Sequence, residues 1–195
     1  MNIYDFDGTI YRGDSSIDFY FYVLKKKPSL VKFLPTQFGG VFLYLCGIID
    51  KTQMKERFFC FLTAVNSSEL VETFWDENQR KVYGWYLAQH RDEDIIISAS
   101  PEFLLRPICD RLGITCLIAS KADPHTGRFE GENCRGKEKA VRLRQEYSVT
   151  HFEKFYSDSK TDQSLAEMAE QAFLVKKGMM RRWPGNSRQN SCPHP

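Results

Sequence analysis

The chain has 195 residues, of which 42% are hydrophobic and 27% are charged, and its formal net charge at pH 7 is +2. This length allows one well-buried domain or a core with a small inserted domain, and the composition is that of an ordinary globular protein. The near-neutral charge gives no overall argument for nucleic acid or a membrane, so no nucleic-acid partner is expected, and none of the six cysteines forms a Cys-x-x-Cys pair that would favour a zinc site.

The first predicted element is a short strand, residues 3–6, which leads into the sequence Asp-Phe-Asp-Gly-Thr. Its two acids, Asp5 and Asp7, fall where the apolar part of a secretory signal would lie, so we expect a cytoplasmic protein. Gly8 and Thr9 follow at once. They leave room and hydrogen-bond donors for an anionic group beside the acids.

The strand pattern then stops, and residues 14–81 are predicted to form an all-helical cap inserted after the first strand. Within it, residues 33–49 are mostly apolar but contain Pro35 and Gly39-Gly40, which favours two buried or interfacial helical segments over a membrane-spanning helix. A cap of this size buries only a modest core, so part of its apolar surface should stay exposed. With Lys25–Lys27 nearby, weak contact of the cap with a membrane surface is a further hypothesis.

From residue 82 onward, short apolar runs alternate with helical patterns, which predicts an α/β fold with a Rossmann-like parallel sheet flanked by helices. A hairpin is expected around Phe129, a helix at residues 163–172 and a last strand at residues 172–175. The α/β core is therefore predicted to comprise residues 1–13 and 82–183, and the polar ending, residues 184–195, is predicted to be a disordered tail.

Ligands of an open parallel sheet bind at the carboxyl ends of its strands. Acidic, hydroxyl and amine side chains are predicted at those ends: Asp5, Asp7, Ser98, Lys137, Lys139, Asp158 and Asp162. Several carboxylates share a small site only with a counter-charge, which Mg²⁺ with oxygen ligands supplies. The same site suits a phosphate group, and a carboxylate can be the nucleophile that attacks it.

The order Asp-Phe-Asp-Gly-Thr, strand-end serine, lysine and Asp-x-x-x-Asp resembles the haloacid dehalogenase superfamily over nearly the whole chain except the tail. The sequences IISASPEFLLRPICDRLG and TGRFEGENCRGKEKAVRL are similar to the branch related to phosphoserine phosphatase. The chain departs from that branch in two motifs. Residues 157–162 keep the two acids but not the usual glycines, and residues 98–100 read Ser-Ala-Ser where Ser-Gly-Gly is usual, so the substrate stays open.

The resemblance implies a Mg²⁺-dependent phosphomonoester hydrolase that acts through an aspartyl-phosphate. Asp5 is then the nucleophile and a metal ligand, and Asp7 is the general acid and base, with its backbone carbonyl on the metal. Asp158 binds the metal directly, and Asp162 supports it. Ser98 and Lys139 complete the catalytic set. The phosphate is held by Gly8, Thr9, Ser98, Ala99 and Lys139.

Several alternatives stay open at this point. Lys137 is the second choice for the lysine of the site. A receiver-type module that accepts phosphate without turnover would also carry acids and a lysine around Mg²⁺, but it needs no acid at Asp7. A phosphotransferase is a third reading, and a dehalogenase would not need Asp7, Asp158 or Asp162. The substrate is expected to be a phosphorylated small molecule or a lipid phosphate.

Overall fold

The computed structural model describes residues 1–184, so the tail predicted from residue 184 onward lies outside the described residues except for Pro184. A six-stranded sheet in the order β3-β2-β1-β4-β5-β6 forms the centre of the molecule. Its strands are β1 (Asn2–Tyr4), β2 (Ile95–Pro101), β3 (Cys116–Ser120), β4 (Phe152–Ser157), β5 (Ala169–Lys176) and β6 (Met179–Arg182).

The first five strands pair in parallel, so the expected parallel α/β sheet is confirmed for these strands. The strand expected at residues 172–175 lies within β5, and one further strand, β6, was not expected; it follows β5 and pairs with it antiparallel. The connection explains the reversal. Lys177 and Gly178 both have positive φ angles, 52° and 79°, as a two-residue hairpin turn of type I′ requires.

The described part of the chain has eight α-helices around the sheet: α1 (Ser15–Lys26), α2 (Leu34–Leu45), α3 (Lys51–Phe59), α4 (Ser67–Asn78), α5 (Gly84–Leu87), α6 (Glu102–Arg111), α7 (Lys137–Tyr147) and α8 (Gln163–Ala166). The helix expected at residues 163–172 is wrong beyond its first turn, since β5 begins at Ala169. The hairpin expected around Phe129 is reduced to one isolated bridge between Ala122 and Phe129.

The alternating side chains of the strands bury two apolar clusters, one on each face of the sheet. Tyr4 and Ile96 face the cluster that contains apolar residues of α1, α4 and α6. Ile3 and Ile95 face the other cluster, which α7 and α8 cover. Because both faces are covered, the parallel strands are apolar on both sides, which is the usual pattern of such sheets.

All helices from α1 to α5 lie between β1 and β2, in the region predicted to hold the cap. Part of this region packs tightly on the α/β part of the chain, since Trp75 of α4 is fully buried and donates a hydrogen bond of 2.6 Å to the carbonyl of Leu104 in α6. The division into core and cap stays a prediction.

The apolar stretch at residues 33–49 forms one helix, α2, rather than the two segments expected. Gly40 lies inside this helix and packs against the side chain of Arg57, so the glycine pair does not break it. No helix within residues 1–184 combines the length and apolarity needed to cross a membrane.

Candidate active site

The predicted site residues converge at the carboxyl ends of the three central strands. Asp5 directly follows β1, Ser98 lies near the end of β2, and Asp158 directly follows β4. The backbone amide of Asp5 continues the sheet pairing by donating to the carbonyl of Tyr156 at 2.8 Å. The sheet itself therefore fixes where the first acid lies.

Asp5 is buried, with 8% of its surface exposed, and its carboxylate is held from two sides. Its Oδ1 lies 2.9 Å from Nζ of Lys139 and accepts a hydrogen bond of 2.9 Å from the amide of Phe6. Burial raises the pKa of Asp5 to about 6, and the ammonium of Lys139 opposes this rise. The carboxylate is therefore positioned before any substrate arrives.

Lys139 lies between two carboxylates in the interior. Its Nζ is 2.8 Å from Oδ2 of Asp162, and the same oxygen accepts a hydrogen bond of 2.8 Å from the hydroxyl of Ser157. Burial alone would lower the pKa of Lys139, but the two carboxylates more than offset it and leave that pKa above its ordinary value. Lys137, by contrast, is exposed at the start of α7.

Asp7 is the second acid of the site, and two hydrogen bonds orient it. Oδ1 accepts from the amide of Ser15 at 2.6 Å, and Oδ2 accepts from the hydroxyl of Ser100 at 2.5 Å. Burial raises the pKa of Asp7 to about 7, and the charge of Asp14 adds to the rise. A carboxyl with this pKa is divided between its two protonation states near neutral pH, as general acid–base chemistry requires.

The turn after β1 brings Asp158 close to the backbone. Gly8 has a φ of +70°, and a Cβ atom there would lie 2.6 Å from Oδ2 of Asp158, so any other residue would be strained and would displace the Asp158 carboxylate. Burial also raises the pKa of Asp158. Gly8 thus allows the acid after β4 to approach the acids after β1.

The donor set fits a hard divalent cation. Asp5, Asp158 and Asp162 bring three carboxylates into one buried region, and Lys139 supplies a single positive charge. Within residues 1–184, no three acidic, histidine or cysteine side chains form a ready-made metal cluster. The oxygen of Asp162 nearest the site is already bound by Lys139 and Ser157. Asp5, Asp158 and the carbonyl of Asp7 are therefore the groups that could hold Mg²⁺ directly, with Asp162 in a supporting position.

Ser98 and Ala99 lie on the other side of Asp5, at the end of β2. Ser98 is 1% exposed, and its hydroxyl accepts a hydrogen bond of 3.1 Å from the amide of Ser100. Thr9 differs from the other predicted phosphate-binding residues. Its side chain is fully buried and does not reach the cavity.

A cavity of about 750 Å³ lies above these residues. The predicted site residues in its wall are Asp5, Asp7, Gly8, Ser98, Ala99, Lys139, Asp158 and Asp162. The opposite wall comes from the helical insertion and is mixed: Ile17, Val41, Met54, Phe58 and Phe59 give it an apolar part, and Asp14, Lys51 and Lys55 give it charged groups. The cavity therefore joins a charged floor to a wall that is apolar in part.

Lys55 of α3 is a site residue that the sequence did not reveal. Its Nζ donates to the carbonyl of Ala99 at 2.6 Å and to Oδ1 of Asn133 at 2.9 Å, and burial lowers its pKa to about 8. It ties the insertion to the end of β2, next to Ser98. The available signal was its spacing four residues after Lys51, which also lines the cavity.

The comparisons with known proteins agree with this geometry. The family model described as haloacid dehalogenase-like hydrolase matches residues 3–167. A histidinol-phosphatase of Neisseria meningitidis is 30% identical over 115 residues, 48% of this chain and 50% of the relative. The protein CicA of Caulobacter vibrioides is 30% identical over 91 residues, 43% of this chain and 41% of the relative. These matches span about half or less of the curated relatives.

Two solved structures share the fold. A protein of unknown function from Bordetella pertussis superposes with a TM-score of 0.73 at 22% identity, covering 88% of this chain and 87% of the other. A phosphoserine phosphohydrolase-like protein from Francisella tularensis superposes with a TM-score of 0.56 at 19% identity, covering 88% of this chain and 84% of the other. At these identities the likeness concerns the fold alone.

Proposed function

Because the chain belongs to the haloacid dehalogenase-like hydrolase family, we propose that it is a Mg²⁺-dependent phosphomonoester hydrolase that acts through an aspartyl-phosphate on Asp5. The observation that carries the proposal is the buried carboxylate of Asp5, 2.9 Å from Lys139, at the floor of a cavity that a second acid, Asp7, also lines. A nucleophile and a separate proton carrier are what a two-step hydrolysis needs.

In the first step, an oxygen of Asp5 attacks the phosphorus and the bond from phosphorus to the ester oxygen breaks. Asp7 gives its proton to the departing alkoxide, for which its pKa of about 7 suits it at neutral pH. Lys139 offsets negative charge on Asp5 as the oxygens approach. The products of this step are an alcohol and a phosphorylated Asp5.

In the second step, water attacks the phosphorus and the bond from phosphorus to Asp5 breaks. Asp7, now a carboxylate, takes the proton from that water, which returns it to its starting form. Inorganic phosphate leaves and the Asp5 carboxylate is restored. One side chain thus acts as acid in the first step and as base in the second.

The remaining groups hold the phosphate. Ser98, the amide after it and the backbone at Gly8 would contact the phosphate oxygens, while Asp5, Asp158 and the Asp7 carbonyl would hold Mg²⁺. The bound cation would neutralise charge on the phosphate oxygens. We further propose that residues 14–81 act as a cap, which the contribution of Lys55 and Phe58 to the cavity wall supports.

The test is hydrolysis of a generic aryl phosphate with Mg²⁺ or with a chelator. We expect turnover that requires Mg²⁺ and falls by at least about 10³-fold in Asp5→Asn. The exposed acid Asp92 provides the matched control, so Asp92→Asn should keep wild-type activity. Activity that survives chelation or Asp5→Asn contradicts the mechanism.

A panel of phosphomonoesters then defines the reaction. Histidinol phosphate and phosphoserine belong in it, because relatives are named for these substrates. A stoichiometric phosphoenzyme that does not turn over would favour a signalling module, and transfer of phosphate to an added alcohol would favour a phosphotransferase. Release of inorganic phosphate over many turnovers supports the hydrolase.

A further inference from the structure

Helix α2 buries polar and small residues and exposes its large apolar side chains. Its two buried residues are Gln37 and Gly40, whereas Phe42 and Leu45 are 65% and 76% exposed. A surface helix of a globular protein normally turns its apolar side inward. The inward side of α2 is fixed by a polar contact, because Gln37 accepts from the hydroxyl of Tyr20 at 2.9 Å and donates to a backbone carbonyl of α3 at 2.8 Å. The outward apolar side is therefore a defined feature of the fold.

The exposed apolar side chains are concentrated around this helix. Of the thirteen large hydrophobic residues that are exposed within residues 1–184, eight lie between residues 17 and 48: Ile17, Phe21, Val31, Phe38, Val41, Phe42, Leu45 and Ile48. We call these eight residues the apolar face. A concentration of this kind on one part of a molecule marks an interaction site.

Positive charge predominates in the same region. Residues 19–49 contain four lysines, Lys25, Lys26, Lys27 and Lys32, and no acidic residue, although the whole chain is close to neutral. Asp18, next to Ile17, is paired with Lys81 at 2.9 Å. All four lysines are exposed. An apolar surface bordered by lysines complements a lipid bilayer with anionic head groups.

The apolar face is continuous with the cavity above Asp5. Ile17 and Val41 are 47% and 43% exposed, and both also line the cavity. Beyond them, Met54, Phe58 and Phe59 extend the apolar wall toward the charged floor. A molecule with its phosphate at Asp5 would therefore meet apolar side chains along its way out to α2.

We propose that the apolar face docks on an anionic lipid surface and that the cavity takes a phosphomonoester whose alcohol part is a lipid. The substrate part of this inference rests on the proposed function. A second copy of the chain fits the face less well, because pairing it with itself brings the same four lysines together without acids between them.

Binding is tested first, by flotation of the full chain with vesicles of phosphatidylcholine with or without phosphatidylglycerol. We expect flotation with the anionic vesicles, weakened about fivefold for each lysine removed in Lys25→Gln and Lys27→Gln. Phe42→Ser combined with Leu45→Ser should abolish it. The matched controls are Lys121→Gln and Val141→Ser, exposed residues outside the apolar face, and they should float as wild type.

Turnover is tested next, with phosphatidic acid in the same vesicles and with a soluble aryl phosphate. Phe42→Ser with Leu45→Ser should lower the rate on phosphatidic acid at least tenfold and leave the rate on the aryl phosphate unchanged. Neither residue lines the cavity, so a merely local defect of the site would not give this split.

The outcomes separate the two proposals. Aryl phosphate hydrolysis without vesicle binding overturns this inference and leaves the proposed function standing. Vesicle binding without hydrolysis of any phosphomonoester overturns the proposed function and the lipid substrate with it. A dimer in light scattering that Phe42→Ser with Leu45→Ser converts to monomer, without vesicle binding, assigns the apolar face to a second copy and overturns the lipid surface.

Discussion

Lys139 and Lys137 show how a helix separates two residues that look equivalent in the sequence. Positions two apart in a helix face in different directions, whereas positions three or four apart share a side. Since α7 begins at Lys137, only Lys139 turns inward to Asp5 and Asp162. The sequence ranked Lys139 first by resemblance, and the geometry gives the physical reason to prefer it.

Replacement of the two lysines tests this difference. Lys139→Met leaves Asp5 and Asp162 buried without their counter-charge, so the free energy of unfolding without metal should fall by about 3–5 kcal/mol. Lys137→Met, at an exposed position, should change it by less than about 0.5 kcal/mol. Urea denaturation measures both. Equal losses in the two variants would contradict the buried ion pair, and adding Asp162→Asn to Lys139→Met should restore part of the loss.

Gly8 is a second residue whose replacement tests the site, because one added Cβ atom would displace the Asp158 carboxylate. Gly8→Ala and Gly113→Ala both place a side chain at a φ near +70°, which costs about 1 kcal/mol. Only at Gly8 would the new Cβ displace Asp158, since no atom lies within 4 Å of the corresponding position at Gly113. We therefore expect Gly8→Ala alone to raise the Mg²⁺ concentration needed for half-maximal activity. An equal Mg²⁺ requirement in both variants would argue against Asp158 as a ligand.

At the scale of elements, the strands β2 and β4 could be predicted from their own residues. The start of β5 and the whole of β6 could not, because they form by pairing with a neighbouring strand. The apolar run at residues 95–97 identified β2, because buried parallel strands are apolar on both faces, and the aromatic residues Phe152, Phe155 and Tyr156 before an acid identified β4. Residues 169–172 have helical spacing, yet they pair with β4, so the contact with a neighbouring strand outweighs the local pattern. β6 is exposed throughout, and its sequence Met-Met-Arg-Arg does not alternate between apolar and polar residues.

Helix α3 gives a prediction about pH. The pKa of Lys55 is about 8 in the folded chain, and its ordinary value is 10.5. Between these values the unfolded chain binds more protons than the folded chain, so this group makes stability rise with pH from about 8 to 10.5. The contribution is at most about 3 kcal/mol. This rise in stability with pH should disappear in Lys55→Met and persist in Lys25→Met.

Denaturation of the three proteins across this pH range gives the comparison. Other groups titrate in the same range, so the informative quantity is the difference in stability between wild type and Lys55→Met at each pH. This difference should shift in favour of wild type as the pH rises. A constant difference would show that Lys55 is not desolvated.

At the scale of the whole molecule, the floor of the candidate site was predictable and its upper wall was not. Asp5, Ser98 and Asp158 each follow or end an apolar strand, and parallel strands bring such ends to one edge. Lys55 and Phe58 belong to the insertion, and no local pattern states how α3 packs against the sheet. Ser100, which orients Asp7, was noted only as a departure from the usual motif.

The crowded carboxylates of the candidate site predict that Mg²⁺ raises the Tm of the protein. At about a hundredfold excess over its dissociation constant, a bound ligand stabilises by about 2.7 kcal/mol, which corresponds to about 5–10 °C in Tm for a chain of this size. Asp158→Asn should raise the Tm of the metal-free protein, because it removes one of the crowded carboxylates, and should abolish the rise with Mg²⁺. Differential scanning calorimetry measures this, and a full rise in Asp158→Asn would contradict the assigned ligand.

The central claim is that Asp5 is phosphorylated during turnover, and a trapping experiment tests it most directly. In Asp7→Asn, a good leaving group such as an aryl oxide still departs without a proton donor, but water attack lacks its base, so the phosphoenzyme should accumulate. Acid quenching after addition of radiolabelled aryl phosphate and Mg²⁺, followed by peptide mapping, should locate a hydroxylamine-sensitive label on Asp5. The label should be absent from Asp5→Asn with Asp7→Asn. Label on another residue, or aryl oxide release by Asp7→Asn with no labelled protein, would contradict the account.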